Sequence, residues 1–285
     1  FACGYKNIGF SYGAPENCGA TIVLYGDEEI EKAQLYHAGA EVGQGSHTVF
    51  AQFTAEALGL PIEKVELHLS DTATSRNSGS VSASRMTFMA GNAISGAAQQ
   101  ALERWQAGDR PAVGDFVYRP PATSPMDKTD GHCYPNFAYG YVAEAVLAEV
   151  NTQTGEVRLK NVICADDVGK AINPSLVEGQ IEGAIVQAAG YTLMENFITN
   201  KGKTLTKELS TYLIPTSADI PEHVESLILE YPDPIGPHGA RGMGEMPYLP
   251  FVPAVIDAVY QAIGIRFNTF PLTAEAVLHG LGKIN

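Results

Sequence analysis

The hydrophobic and polar positions of this chain change period several times, and each change marks a predicted element. In Thr21-Ile22-Val23-Leu24-Tyr25 and in Ala33 to Tyr36, β-branched and aromatic residues flank the acidic turn Asp27-Glu28-Glu29. That pattern predicts two neighbouring strands. From about Thr48 to Leu58 the period lengthens: Val49, Phe50, Phe53 and Ala57 share one helical face, and Gly59 and Pro61 end it. Val65, Leu67 and Leu69 then alternate with Glu66, His68 and Ser70, as a half-buried strand requires. A Ser-rich segment, Ser78 to Ser84, leads into a long helix over roughly Met86 to Trp105. Its small residues Ala90, Gly91, Ala93, Gly96, Ala97 and Ala98 predict close helix packing.

Ala107 to Asn136 is dense in Pro, Gly and Asp and reads as a linker or surface excursion. Beyond it, Tyr139 to Val150 and Val157 to Ala165 predict strands joined by the turn Thr152-Gln153-Thr154-Gly155. Asn173 is placed to cap a helix with Pro174 at its first position, running to about Gly190. Ser226 to Tyr231 predicts a further strand, Phe251 to Ile265 a helix entered through Pro247, and a last helix starts near Thr273. No repeat or low-complexity tract is visible. The sum is an α+β fold with two α/β sub-regions, about 1–106 and 137–285, around a linker at about 107–136.

Composition narrows the partners. With 285 residues the chain can bury a sizeable core, and 45% hydrophobic with 18% charged residues is ordinary for a globular protein. A net charge of −14 argues against nucleic acid or an anionic membrane as the main partner. It leaves open phosphate binding through backbone N–H groups. Cys3, Cys18, Cys133 and Cys164 lie far apart with no C-x-x-C pair, so they read as free thiols in a reducing compartment, with the cytoplasm as the default location. The apolar run Phe251 to Ile265 is too short to span a membrane and contains Asp257. The start at Phe1 reads as that of a fragment or a processed piece.

The candidate chemistry sits in loops of one kind, small or amide residues placed just before helices. Gly43-Gln44-Gly45-Ser46 precedes the first, and Ser80, Ser82 and Ser84 precede the second. Gln180 lies one to two turns into the third, and Gly244-Glu245 precedes the fourth. Helix N-termini carry partial positive charge and unpaired N–H donors, so converging ends could hold a phosphorylated cofactor. Each loop alone also reads as an ordinary cap. Gln44 and Gln180 can both donate and accept, which suits a heterocycle or an oxo group. Glu245, inside Gly239-Ala240-Arg241-Gly242-Met243-Gly244-Glu245-Met246-Pro247, is either a capping glutamate on a surface loop or a carboxylate in a partly dry pocket. In the second case desolvation would raise its pKa and fit it to abstract a proton. P-loop, G-x-G-x-x-G and G-x-S-x-G motifs are absent, which shifts the hard chemistry onto a cofactor.

Four motifs in order carry a resemblance: Glu41-Val42-Gly43-Gln44-Gly45, Ser82-Ala83-Ser84-Arg85, Asp167-Val168-Gly169 with Asn173-Pro174 and Glu178-Gly179-Gln180, and Gly242-Met243-Gly244-Glu245. Together they resemble the molybdenum-binding subunit of the xanthine dehydrogenase and aldehyde oxidoreductase family, over the C-terminal half of its molybdopterin-binding region. The resemblance implies helix N-termini converging on a molybdopterin cytosine dinucleotide that carries Mo through its own dithiolene, so no protein metal ligand is expected. It implies cofactor contacts from Gly43, Gln44, Gly45 and Ser46, from Ser82, Ala83, Ser84 and Arg85, and from Gln180 and Gly244, with Glu245 as general base. It implies oxidation of an aldehyde or N-heterocycle with water-derived oxygen. It also implies partner chains: one carrying the first molybdenum-binding half, an iron–sulfur subunit with [2Fe-2S] and a flavin subunit with FAD. The alternative is a non-catalytic molybdopterin-binding or maturation module of the same fold.

Overall fold

The computed structural model describes all 285 residues, and its helices and strands form two halves built on one plan. In the first, β2 (Cys18–Tyr25) pairs antiparallel with β3 (Lys32–His37), and α1 (Ser46–Leu58) crosses to β4 (Val65–Leu69), which runs parallel to β3. Next, α2 (Met86–Gln106) lies across the sheet and β5 (Ala112–Tyr118) pairs antiparallel with β2. The sheet order is β4-β3-β2-β5.

The second half repeats this. Strand β6 (Tyr139–Val150) pairs antiparallel with β7 (Val157–Asp167). Helix α3 (Pro174–Leu193) and the small hairpin of β8 (Thr199–Asn200) and β9 (Lys203–Thr204) lead to β10 (Val224–Leu229), parallel to β7. Helix α4 (Tyr248–Ile263) lies over the sheet, and a short α5 (Ala274–Gly280), capped by Thr273, follows. The position that β5 fills in the first half is taken here by the N-terminal strand β1 (Ala2–Asn7), giving the order β10-β7-β6-β1. A parallel pair needs a crossover, and in both halves a helix supplies it.

The elements match the hydrophobic pattern because each buried face meets a sheet. Val49, Phe50 and Phe53 of α1 join Phe88, Met89 and Ile94 of α2 and Ile22, Leu24 and Leu35 of the strands in one core. Ile181 and Ile185 of α3, Phe251, Val255 and Val259 of α4, and Val142 and Val162 form the other. The small residues of α2 let β5 approach closely, for a Cβ on Gly114 would stand 1.9 Å from the Ala97 carbonyl oxygen.

Two expectations change. The stretch read as a linker contains β5, a full member of the first sheet, and the first sub-region does not hold together as 1–106 because β1 belongs to the second sheet. And although no repeat is visible in the residues, the strand and helix order recurs.

Candidate functional site

The N-terminal ends of all four long helices open into one cleft of about 270 Å³ where the halves meet. Such ends present unpaired N–H groups and partial positive charge. Of the residues singled out in the sequence, Gln44, Ser46, Ser84, Arg85, Gln180, Gly244 and Glu245 line this cleft. Gly43, Gly45, Ser82 and Ala83 sit in the same loops, beside lining residues. Residues from 44 to 245 are thus brought to one place.

The loop before α1 is closed by its own acid. The Glu41 carboxylate accepts hydrogen bonds from the N–H groups of Gly43 (2.8 Å), Gly45 (2.9 Å) and His47 (3.1 Å). Burial acts to raise the Glu41 pKa, but donation from Gly45, His47 and Gly43 outweighs it and holds the carboxyl below its ordinary value. Gly43 and Gly45 both have positive φ, 106° and 81°, which the tight loop requires. The Gln44 amide, expected to face a ligand, folds back instead. Its oxygen accepts from the Val42 N–H at 2.7 Å, and its nitrogen donates to the Ala40 carbonyl at 2.8 Å and the Ser46 hydroxyl at 2.9 Å.

Arg85 also differs from expectation. Its side chain is almost wholly buried and forms a bidentate pair with Glu16 at 2.8–3.1 Å, and it donates to the carbonyls of Ser78, Ser80 and Asn17. All five guanidinium N–H groups are therefore engaged within the protein. Arg85 shapes the serine loop and leaves no donor free for a phosphate.

The loop it holds carries strain at the cleft: Ala83 and Ser84 adopt φ of 59° and 50°, a region that costs non-glycine residues about 1–2 kcal/mol each. Against Ser84 lies Gly242, where a Cβ would stand 1.6 Å from the Ser84 carbonyl oxygen. Only glycine lets the two halves touch here. The Gly242 loop is fixed from behind by Arg241, which pairs with Asp167 at 2.5 Å and Asp233 at 3.1 Å, and whose N–H donates to the Val168 carbonyl.

Glu245 stands at this junction. Its N–H donates to the Ser84 hydroxyl at 3.1 Å, and that hydroxyl reaches the Glu245 carboxylate at 3.4 Å. Of the two readings of Glu245, this chain by itself gives the open one: the side chain is 49% exposed and pairs with Lys6 Nζ at 3.0 Å. Lys6 also donates to the backbone oxygen and the side chain of Asn7. Gln180 comes to the wall beside Gly244, where a Cβ would stand 3.3 Å from its Oε1. Asn173 caps α3 through the Leu176 N–H and donates to Gln52, tying the start of α3 to the middle of α1.

Sequence reasoning missed Lys6, Glu16 and Arg241. A glycine-rich loop holding an arginine was the one local signal for Arg241; nothing near Lys6 or Glu16 in the chain pointed to Glu245 or Arg85.

The comparisons agree with this architecture. Residues 1–114 and 106–221 match a model described as molybdopterin cofactor-binding domain. The chain is 29% identical over 278 residues to the "Probable hypoxanthine oxidase XdhD" of Escherichia coli, covering 88% of this chain and 29% of that protein. It is 27% identical over 276 residues to the aldehyde oxidoreductase molybdenum-binding subunit PaoC of the same species, covering 86% of this chain and 36% of that one. The solved aldehyde oxidoreductase of Desulfovibrio desulfuricans superposes with a TM-score of 0.87 at 28% identity, over 98% of this chain and 31% of that chain. The chain therefore spans about a third of the length of these relatives. No helix is long and apolar enough to cross a membrane. On the model matched over residues 1–221, the chain belongs to the molybdopterin cofactor-binding domain family.

Proposed function

We propose that this chain forms one wall of the active site of a molybdenum hydroxylase that oxidises an aldehyde or an N-heterocycle. The observation that carries the reading is that Glu245 is the only carboxylate on a cleft built from four helix ends. The residues fit a phosphorylated, many-atom cofactor: with the α1 start closed by Glu41 and the α3 start capped by Asn173, the N–H groups at the α2 start suit its phosphates, and Gln180 and the Cβ-free Gly244 suit its pterin side. When bound, the cofactor, in its cytosine dinucleotide form, supplies the redox centre that takes two electrons from the substrate carbon while water-derived oxygen is added.

Glu245 is the general base in this reading. Ser84 and Lys6 orient its carboxylate. Covering it with cofactor and the remaining wall of the site removes the water that now reaches half of the side chain. The remaining wall, the [2Fe-2S] centres and the FAD belong to partner polypeptide in this proposal, and electrons leave through them.

Glu245→Gln keeps the shape and loses the base. The assembled enzyme is expected to retain molybdenum and releasable CMP while turnover falls by about 10²–10⁴-fold or more. Wild-type turnover in that variant sinks the base assignment, and a loaded assembly with no turnover on any aldehyde or heterocycle favours a second reading. That reading, a cofactor-binding module without catalysis, is favoured by one observation: the Glu245 carboxylate is already paired with Lys6 at 3.0 Å.

A further inference from the structure

The two oxygens of the Glu245 carboxylate stand in different surroundings. Oε2 lies 3.0 Å from Lys6 Nζ and 3.4 Å from the Ser84 hydroxyl. That hydroxyl accepts from the Glu245 N–H at 3.1 Å, which turns its own proton towards Oε2. Oε2 therefore receives two donors, whereas no group of the protein engages Oε1.

A lysine–glutamate contact on an open surface contributes little. Lys6 is more constrained than that. Its side chain is 15% exposed, and its three donors go to Glu245, to the Asn7 carbonyl at 2.9 Å and to the Asn7 side-chain oxygen at 3.0 Å. Asn7 is fixed in turn, for its amide nitrogen donates to the Gly9 carbonyl at 2.8 Å and to the Ser11 hydroxyl at 3.1 Å, which leaves its oxygen to face Lys6. Asn136 donates to the same Ser11 hydroxyl at 2.8 Å. The register sets Lys6 beside Gly140, where a Cβ would stand 1.9 Å from Met246 Sδ, so the residue next to Glu245 is seated in the space that glycine leaves. The ammonium is thus tied to its own strand and aimed at one oxygen.

We propose that Lys6 is a positioning residue that reserves Oε2 and leaves Oε1 as the oxygen that takes the proton. The inference rests on Glu245 being the base, as proposed above. In the transfer, a lone pair of Oε1 forms the new O–H bond. The O–H bond of the water-derived hydroxyl breaks, and its electron pair stays on the oxygen that is added to the substrate carbon. The neutral acid so formed keeps both of its hydrogen bonds at Oε2, because a carbonyl oxygen accepts as a carboxylate oxygen does. A proton on Oε2 would instead confront the Lys6 and Ser84 donors and leave one of them unanswered. Two chemically equal oxygens are made unequal by what surrounds them.

The assembled enzyme carrying Lys6→Met tests this, since methionine keeps an unbranched stem and removes the donors. Molybdenum content, releasable CMP and melting temperature are expected to stay at wild-type levels. Meanwhile kcat falls about 10- to 100-fold and KM changes by less than about twofold, as for a misplaced catalytic group. Lys6→Arg, which restores charge and donors, should recover most of that loss. In crystals of the loaded Lys6→Met enzyme, the Glu245 side chain should occupy more than one rotamer, a readout independent of turnover. Wild-type kcat in Lys6→Met, a single unchanged Glu245 rotamer, or no recovery in Lys6→Arg overturns the proposal. So does loss of molybdenum in step with turnover, which would make Lys6 a fastener of the fold. The two readings fail separately: wild-type turnover in Glu245→Gln removes the base and this inference with it, whereas an inactive Glu245→Gln beside a fully active Lys6→Met removes only the role of Lys6.

Discussion

The two halves share strand order, strand directions and helix placement, yet they differ in how completely they answer the charge they bury. The first buries one ion pair, Arg85–Glu16, with every donor answered, and clothes its outer face in polar side chains. The second also buries a paired cluster, Arg241 with Asp167 and Asp233, but beside it buries Glu144 and Asp166 with Glu144 Oε1 and Oε2 and Asp166 Oδ1 unpartnered, and it exposes Tyr5, Tyr141, Leu227 and Leu229. A shared topology thus fixes where helix ends converge, but it does not fix which faces meet water. The first half is finished as a surface. The second leaves buried acids without partners and large apolar side chains in the open.

Breaking the polar economy of the first half has the largest expected effect. Glu16→Ala leaves the Arg85 guanidinium buried without its carboxylate, and removing one partner of such a pair costs about 3–5 kcal/mol. Urea unfolding of the variant should show that loss together with a disordered serine loop. A change below about 1 kcal/mol would mean that the pair is not the fastening of this half.

Gly242→Ala attacks the contact between the halves. The methyl group has no space against the Ser84 backbone, so the loops must part, at a cost of about 3 kcal/mol, the upper end for overpacking. Molybdenum content should fall with it. Full loading at wild-type stability would show that the halves need not touch at this point.

The second half should be the part that responds to pH. Burial pushes the Glu144 carboxyl up to about 8, and the Asp166 charge adds to it. Burial likewise raises Asp166 to about 7, opposed by Cys164 and aided by Asp167. The folded chain therefore binds more protons than the unfolded one between roughly pH 4.5 and 8, and stability falls as pH rises through that window. The expected loss is on the order of 2 kcal/mol, and Glu144→Gln should flatten the profile. A profile that rises with pH across this range, or one untouched by Glu144→Gln, would contradict this account of the buried acids.

Much of the plan could be read in the residues, and the exceptions have physical reasons. Helices α1 to α4 and strands β2, β3, β4, β6 and β7 follow their periods because each buries one face against a sheet. Strand β5 was hidden by Gly108, Pro111 and Gly114, residues that break elements locally; here α2 packs so closely that only a glycine fits at position 114. Strand β1 was hidden by an inverted pattern, with Cys3 and Tyr5 on the open side. In the site, four loops could be found because each precedes a helix. The groups that hold them could not: Glu16 lies 69 residues from Arg85, and Lys6 sits at the opposite end of the chain from Glu245.

The smallest expected effect separates fold from site within a single loop. Gly244 lies two residues from Gly242, its φ is not in the left-handed region, and a Cβ there would meet only the movable end of Gln180, at 3.3 Å. Gly244→Ala should therefore change stability by no more than about 0.5 kcal/mol. Yet the added methyl group points at the Gln180 amide on the cleft wall, where a bound pterin would lie. If the cleft holds the cofactor, the variant keeps its melting temperature in the cofactor-free form and loses molybdenum on dialysis faster than the wild type. Gly242→Ala loses both together, because it parts the halves before it touches the ligand. Equal cofactor retention by Gly244→Ala and the wild type would place the pterin away from the Gln180 side of the cleft, and the ends of α1 and α2 would then have to hold it from the first half alone.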